Sequence, residues 1–173
     1  MYDFKFSHLS LENRRQHQFT FKRLPLLAAA LFAGVSLYAQ SPPFPEIVSV
    51  NSGQCLDVPN GSAAEHVRIQ QIICHGGPNQ RWRLTGTGEI VNLSSGLCLD
   101  VPNGSTEDRV PIQQIVCHGG NNQRWRFTRT GEIISLNSRK CLDVPRASLA
   151  EHAQIEQFTC NGGNNQKWIT RRL

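Results

Sequence analysis

Three aspartates stand in a context suited to binding a polar ligand. Asp57, Asp100 and Asp143 are each the third residue of a Cys-Leu-Asp-Val-Pro stretch, Cys55–Pro59, Cys98–Pro102 and Cys141–Pro145. Downstream of each comes a polar residue, Gln70, Gln113 or Glu156, and two residues later a bulky one, Ile72, Ile115 or Phe158. An asparagine, Asn79, Asn122 or Asn165, completes each set. An ionised carboxylate only accepts hydrogen bonds, whereas a side-chain amide donates and accepts. Beside an apolar or aromatic face, this combination matches a sugar. Hydroxyls donate to the aspartate and take hydrogen bonds from the amides, while the C–H face of the pyranose packs on the bulky side chain. The plain alternative is that the motif is kept because it builds the fold.

Other chemistries fit less well. A metal centre needs convergent Cys and His ligands, yet His75 and His118 are replaced by Asn161 in the third set. Glycoside hydrolysis needs two carboxylates flanking the bond, and only the third set has a pair, Asp143 with Glu156. His66 and His152 read as solvated turn residues, and His75 and His118 as loop hydrogen-bonders. No enzyme activity, metal or cofactor is expected.

The elements that position these residues come as a repeat. Cys74-His75-Gly76-Gly77-Pro78-Asn79-Gln80-Arg81-Trp82 returns at Cys117–Trp125 and Cys160–Trp168, so Trp82, Trp125 and Trp168 are 43 residues apart. Residues 47–89 and 90–132 share 30 identities in 43. Each copy reads as about four short strands broken by turns such as Pro59-Asn60-Gly61. That makes about twelve in all, with no convincing helical period. Strands this short cannot bury a face alone, so the copies must share one core. The cysteine gap is constant, and although six cysteines allow about 15 pairings, threefold repetition favours Cys55–Cys74, Cys98–Cys117 and Cys141–Cys160. Strand alternation then sets Asp57 beside Gln70 and Ile72 on the outer surface, with Leu56, Val58, Ile69 and Trp82 in the core. The Gly-Gly loop brings Asn79 to the same place.

The chain has 173 residues and a net charge of +5. Residues 1–39 hold five of the basic side chains and two of the acidic ones, which leaves the remainder at +2. Basicity therefore belongs mostly to the leader, and no nucleic-acid partner is expected. Residues 24–39 form an apolar run behind a basic segment, the pattern of a secretory signal peptide, with retention as a membrane anchor the alternative. Residues 40–46 include Pro42, Pro43 and Pro45 and read as an extended spacer. An even cysteine set behind such a leader indicates an oxidising compartment, hence a secreted, extracellular or periplasmic protein.

The Cys-Leu-Asp-Val stretch, the Gln-x-x-x-Cys strand and the Asn-Gln-x-Trp signature, three times in register over residues 47–173 (repeats 47–89, 90–132 and 133–173), resemble the ricin B-type lectin family with its Gln-x-Trp repeats. The resemblance implies an all-β fold, the β-trefoil. It implies one sugar site per repeat: Asp57, Gln70, Ile72 and Asn79; Asp100, Gln113, Ile115 and Asn122; Asp143, Glu156, Phe158 and Asn165. It assigns Trp82, Trp125 and Trp168, with Gln80, Gln123 and Gln166, to the core. The implied partner is carbohydrate, either galactose-type sugars or a plant-type polysaccharide such as xylan, bound by a monomer. Ile72 and Ile115 depart from the aromatic residue usual there, and Glu156 from the glutamine. By its ring the third site ranks first, though Glu156 beside Asp143 argues against that order. The rival reading is an interaction or inhibitor trefoil that binds no sugar and acts through its loops.

Overall fold

The structure, a computed structural model, describes residues 44–172. The expected signal peptide and the start of the spacer lie outside the described residues. Within them the chain forms short strands and single 3-10 turns, with no α-helix. In chain order the strands are β1 (Glu46–Ser49), β2 (Cys55–Asp57), β3 (Gln70–Ile72), β4 (Trp82–Leu84), β5 (Ile90–Asn92), β6 (Cys98–Asp100), β7 (Val110–Pro111), β8 (Gln113–Ile115), β9 (Trp125–Phe127), β10 (Ile133–Ser135), β11 (Cys141–Asp143), β12 (Glu156–Phe158) and β13 (Trp168–Arg171).

Each sheet crosses a repeat boundary. The orders are β13-β1-β2-β3, β4-β5-β6-β8 and β7-β12-β11-β10-β9. The last strand of one copy therefore pairs with the first of the next, and β13 closes the ring on β1, from Glu46 opposite Arg171 to Ser49 opposite Trp168. This is the β-trefoil. One apolar cluster lies at its centre, containing Ile47, Leu56, Val58, Ile69 and Trp82 together with their counterparts in the other two copies. The strands are too short to bury a face in isolation, so burial is shared among all three copies.

The strand count exceeds the expected twelve by one. The additional strand is β7, which pairs with β12 through Pro111 opposite Glu156 and Val110 opposite Gln157. The sister contacts persist only as single bridges, Arg68 with Gln113 and Gln154 with Gln70. In all three cases a loop of one copy runs alongside the third strand of another, a long-range contact that local strand propensity does not encode.

All three expected disulfides form: Cys55–Cys74, Cys98–Cys117 and Cys141–Cys160, each with Cα atoms 5.1 Å apart. Each tryptophan is buried and donates its indole N–H to the leucine carbonyl of the Cys-Leu-Asp strand, at 3.0 Å in every copy. Gln80, Gln123 and Gln166 are fully buried. Their amides donate to the carbonyls of Ile73, Val116 and Thr159, and their oxygens accept the N–H of His75, His118 and Asn161. Both ends of each amide are thus satisfied, as burial requires.

Candidate functional site

The Asp-Gln pairing follows from strand register. Across β2 and β3 Cys55 faces Ile72 and Asp57 faces Gln70, so Gln70 Nε2 donates to Asp57 Oδ2 at 2.8 Å. From the other side Asn79 Nδ2 donates to Asp57 Oδ1 at 2.6 Å. The second copy repeats this clamp: Gln113 and Asn122 donate to Asp100 at 2.9 and 2.7 Å. The Gly-Gly loop makes the approach feasible, because a Cβ on Gly77 would stand 2.7 Å from both Asn79 Oδ1 and His75 Cε1.

One expectation needs correction. The aspartates do not lie on the outer surface: Asp57, Asp100 and Asp143 are only 2, 2 and 3% exposed. Alternation correctly sends them to the face away from the core, but the amides, the turn after Val58 and the loop after the second cysteine cover that face. The carboxylate forms the floor of a depression, and the half-buried Gln70, Ile72 and Asn79 form its walls.

The histidines after the second cysteines are loop hydrogen-bonders that also face this floor. His75 Nδ1 accepts the Gly77 N–H, so a neutral ring carries its proton on Nε2, which lies 3.9 Å from Asp57. His118 is placed alike, 3.8 Å from Asp100.

Sequence reasoning missed the residues that reach across repeats. His66, Arg109 and His152 occupy equivalent turn positions, each with φ of +64°. His66 Nδ1 lies 3.3 Å from Gln113 Oε1, and His152 Nδ1 lies 3.2 Å from Gln70 Oε1. Arg109 places its guanidinium 5.8 Å from the centroid of the Phe158 ring. Each site therefore borrows a side chain from another repeat. The turn that carries it is held by a fully buried glutamine: Gln114 donates to the Ser62 and Ala64 carbonyls, Gln157 to Ser105 and Glu107, and Gln71 to Ser148 and Ala150. The one signal in the sequence is Gln71, a glutamine two residues after the core residue Ile69 and hence on the same strand face.

The second and third sites open into cavities of about 490 and 920 Å³. In the second, Asp100, Gln113, Ile115 and Asn122 meet His66 and His118. In the third, Asp143, Glu156, Phe158 and Asn165 meet Arg109 and Arg146. Asn165 still donates to Asp143 at 2.8 Å, but Glu156 sits opposite Asp143 in the strand register, where the other copies have a donor amide. Burial pushes the Asp143 carboxyl up to about 6, and the charges of Glu156 and Asp108 add to the shift. Burial also raises Glu156, against the lowering effect of Arg109 and Arg146.

With its folded-state pKa above the ordinary 3.8, Asp143 favours the folded state at low pH, and that contribution is lost as pH rises through about 6. Glu156→Gln restores the amide clamp of the sister copies. Burial, the larger cause of the shift, remains in that variant, so the gain at pH 7 should be under about 1 kcal/mol after discounting for solvent screening, with little gain at pH 4. Thermal melts of both proteins across that range are the check, and parallel pH profiles would rule out the contribution of Glu156.

Residues 44–168 match the family model for the ricin-type beta-trefoil lectin domain. Among solved structures, the chain is similar to ThreeFoil, a designed threefold-symmetric protein, with 36% identity over 75% of this chain and 99% of that one and a TM-score of 0.73. An exo-beta-1,3-galactanase from Clostridium thermocellum shows 35% identity over 78% of this chain but only 31% of its own, with a TM-score of 0.72. The C-half of the earthworm R-type lectin, solved with GalNAc, shares the fold at 23% identity over 76% of this chain and all of that one, with a TM-score of 0.66. With three clamped aspartates, three bridges and the threefold strand plan in common register, this chain belongs to the ricin-type β-trefoil lectin family.

Proposed function

We propose that the protein is a secreted, non-enzymatic carbohydrate-binding protein with up to three shallow sugar sites, one per repeat. The observation that carries this reading is the clamped aspartate, an acceptor held by an asparagine in every copy and by a glutamine in two. Its oxygens are fixed in direction and little hydrated, so a sugar hydroxyl meets a preorganised acceptor and little ordering entropy is lost on binding. Ile72 and Ile115 offer an apolar wall without a ring, which suits contact with the C–H face of a neutral sugar. Single sites of this kind are weak, and several on one molecule gain by avidity on a polymer. The 35% identity to a galactanase favours galactose-type glycans over xylan-type ones. In the same reading residues 1–39 direct secretion, which the three disulfides support, and N-terminal sequencing of the exported chain should begin at Gln40.

Calorimetric titration with galactose, a β-1,3-linked galactobiose and xylobiose tests the sugar reading. The expected result is weak binding of the galactosides, on the order of millimolar Kd, a range near −4 kcal/mol, with more than one site per chain. Absence of binding to all three, with no retention on galactose-agarose or xylan, would favour a trefoil that works through its loops.

A further inference from the structure

We infer that the third site takes an acidic sugar, with its ring against Phe158 and its negative group directed to Arg109 and Arg146. This rests on the proposed function and gives one of its sites a distinct ligand class. Both arginines line the cavity that holds Asp143, Phe158 and Asn165. They replace uncharged or weakly basic residues of the sister copies: Arg109 stands where His66 and His152 stand, and Arg146 where Asn60 and Asn103 stand. Among the described residues neither arginine makes an ion pair within 4.0 Å; both act on Glu156 only at longer range, which leaves their N–H donors open to a ligand.

The backbone shows that Arg146 is held there at a cost. Asn60-Gly61 and Asn103-Gly104 occupy the left-handed region with residues that tolerate it, but Arg146 and Ala147 adopt φ of +53° and +51° in the same turn. The left-handed region is disfavoured for a residue that carries a Cβ, and such strain directs attention to function. Arg109 also has positive φ and is anchored on the Phe158 ring, so its charge is delivered to the same wall.

The other charges around the cavity are Asp143 and Glu156, with Asp108 occupied by Lys140 at 2.7 Å. Two permanent cations thus face two carboxylates, one of which is held partly uncharged by burial. An amino sugar would meet the cations at the rim and an acidic sugar would be drawn to them.

The test compares galactose, galacturonic acid, galactose 6-sulfate and glucosamine at pH 5.5 by NMR titration, following backbone amides of the third repeat beside those of the first two. The variant is Arg109→Asn with Arg146→Asn, since asparagine accepts the left-handed conformation both positions require. The expected result is a three- to tenfold preference of roughly the size exposed ion pairs supply, for galacturonic acid or the sulfate over galactose at the third repeat, lost in the variant. Comparison of the two acids identifies whether carboxylate or sulfate is preferred. Equal binding of galactose, preference for glucosamine, or a preference that survives in the variant would overturn the inference. If galactose still shifts the first two repeats while the acids leave the third untouched, only this inference falls. If no sugar shifts any repeat, the carbohydrate reading falls with it.

Discussion

Trp125→Ala is expected to lose about 3–5 kcal/mol of stability, the usual cost of emptying a large aromatic from a core. Trp125 is 3% exposed, belongs to the single shared cluster, and pairs through β9 with Ser135 of the next copy. The hole cannot be filled by one repeat relaxing alone, because the residues around it come from more than one repeat. The indole also reaches the site, since its N–H holds the Leu99 carbonyl, one residue before Asp100. Trp125→Phe keeps most of the apolar volume but leaves that carbonyl without its partner, so a smaller loss of about 1–3 kcal/mol is expected. Urea melts of the two variants are the measurement. A Trp125→Ala protein with an unchanged midpoint would refute the shared-core account. Because a domain of this kind has only about 5–15 kcal/mol to lose, the alanine variant should also be sensitive to reduction of its disulfides.

Asp100→Ala should weaken galactoside binding at the second site by about 1–3 kcal/mol, roughly five- to 150-fold. In the proposed reading it removes the acceptor for a sugar hydroxyl, and it strands the amides of Gln113 and Asn122, which both donate to it. Asp57→Ala should act alike on the first site, whose clamp is the same. Asp143→Ala should matter less for a neutral sugar, because Asp143 lacks the second amide and is partly protonated near pH 6. Calorimetry of the three single variants separates the sites through stoichiometry. If Asp100→Ala and Asp57→Ala bind as the parent does while Asp143→Ala loses binding, the first two clamps are structural and the neutral-sugar site is the third.

Much of this molecule is legible in the residues. The constant 43-residue step and paired cysteines determine the threefold plan and the bridges, because a repeated segment folds under repeated local constraints. Strand alternation correctly separates Leu56 and Val58 from Asp57, and places Gln70 beside that aspartate, because side-chain direction in a strand has period two. Burial of the aspartates was not legible, since alternation names a face but not what covers it. The loop and turn that cover Asp57 are brought there by tertiary contacts. The crossing of His66, Arg109 and His152 onto sites of other repeats was not legible either. It depends on which copies become neighbours when β13 closes on β1, and on buried glutamines that grip a loop far away in sequence, 52 residues from Gln114 to Ser62 and 77 from Gln71 to Ser148. Local pattern therefore determined the repeat, the bridges and the aspartate clamp, while ring closure alone decided the third wall of each site, because side chains far apart in sequence share a cavity only once the three copies have packed around one core.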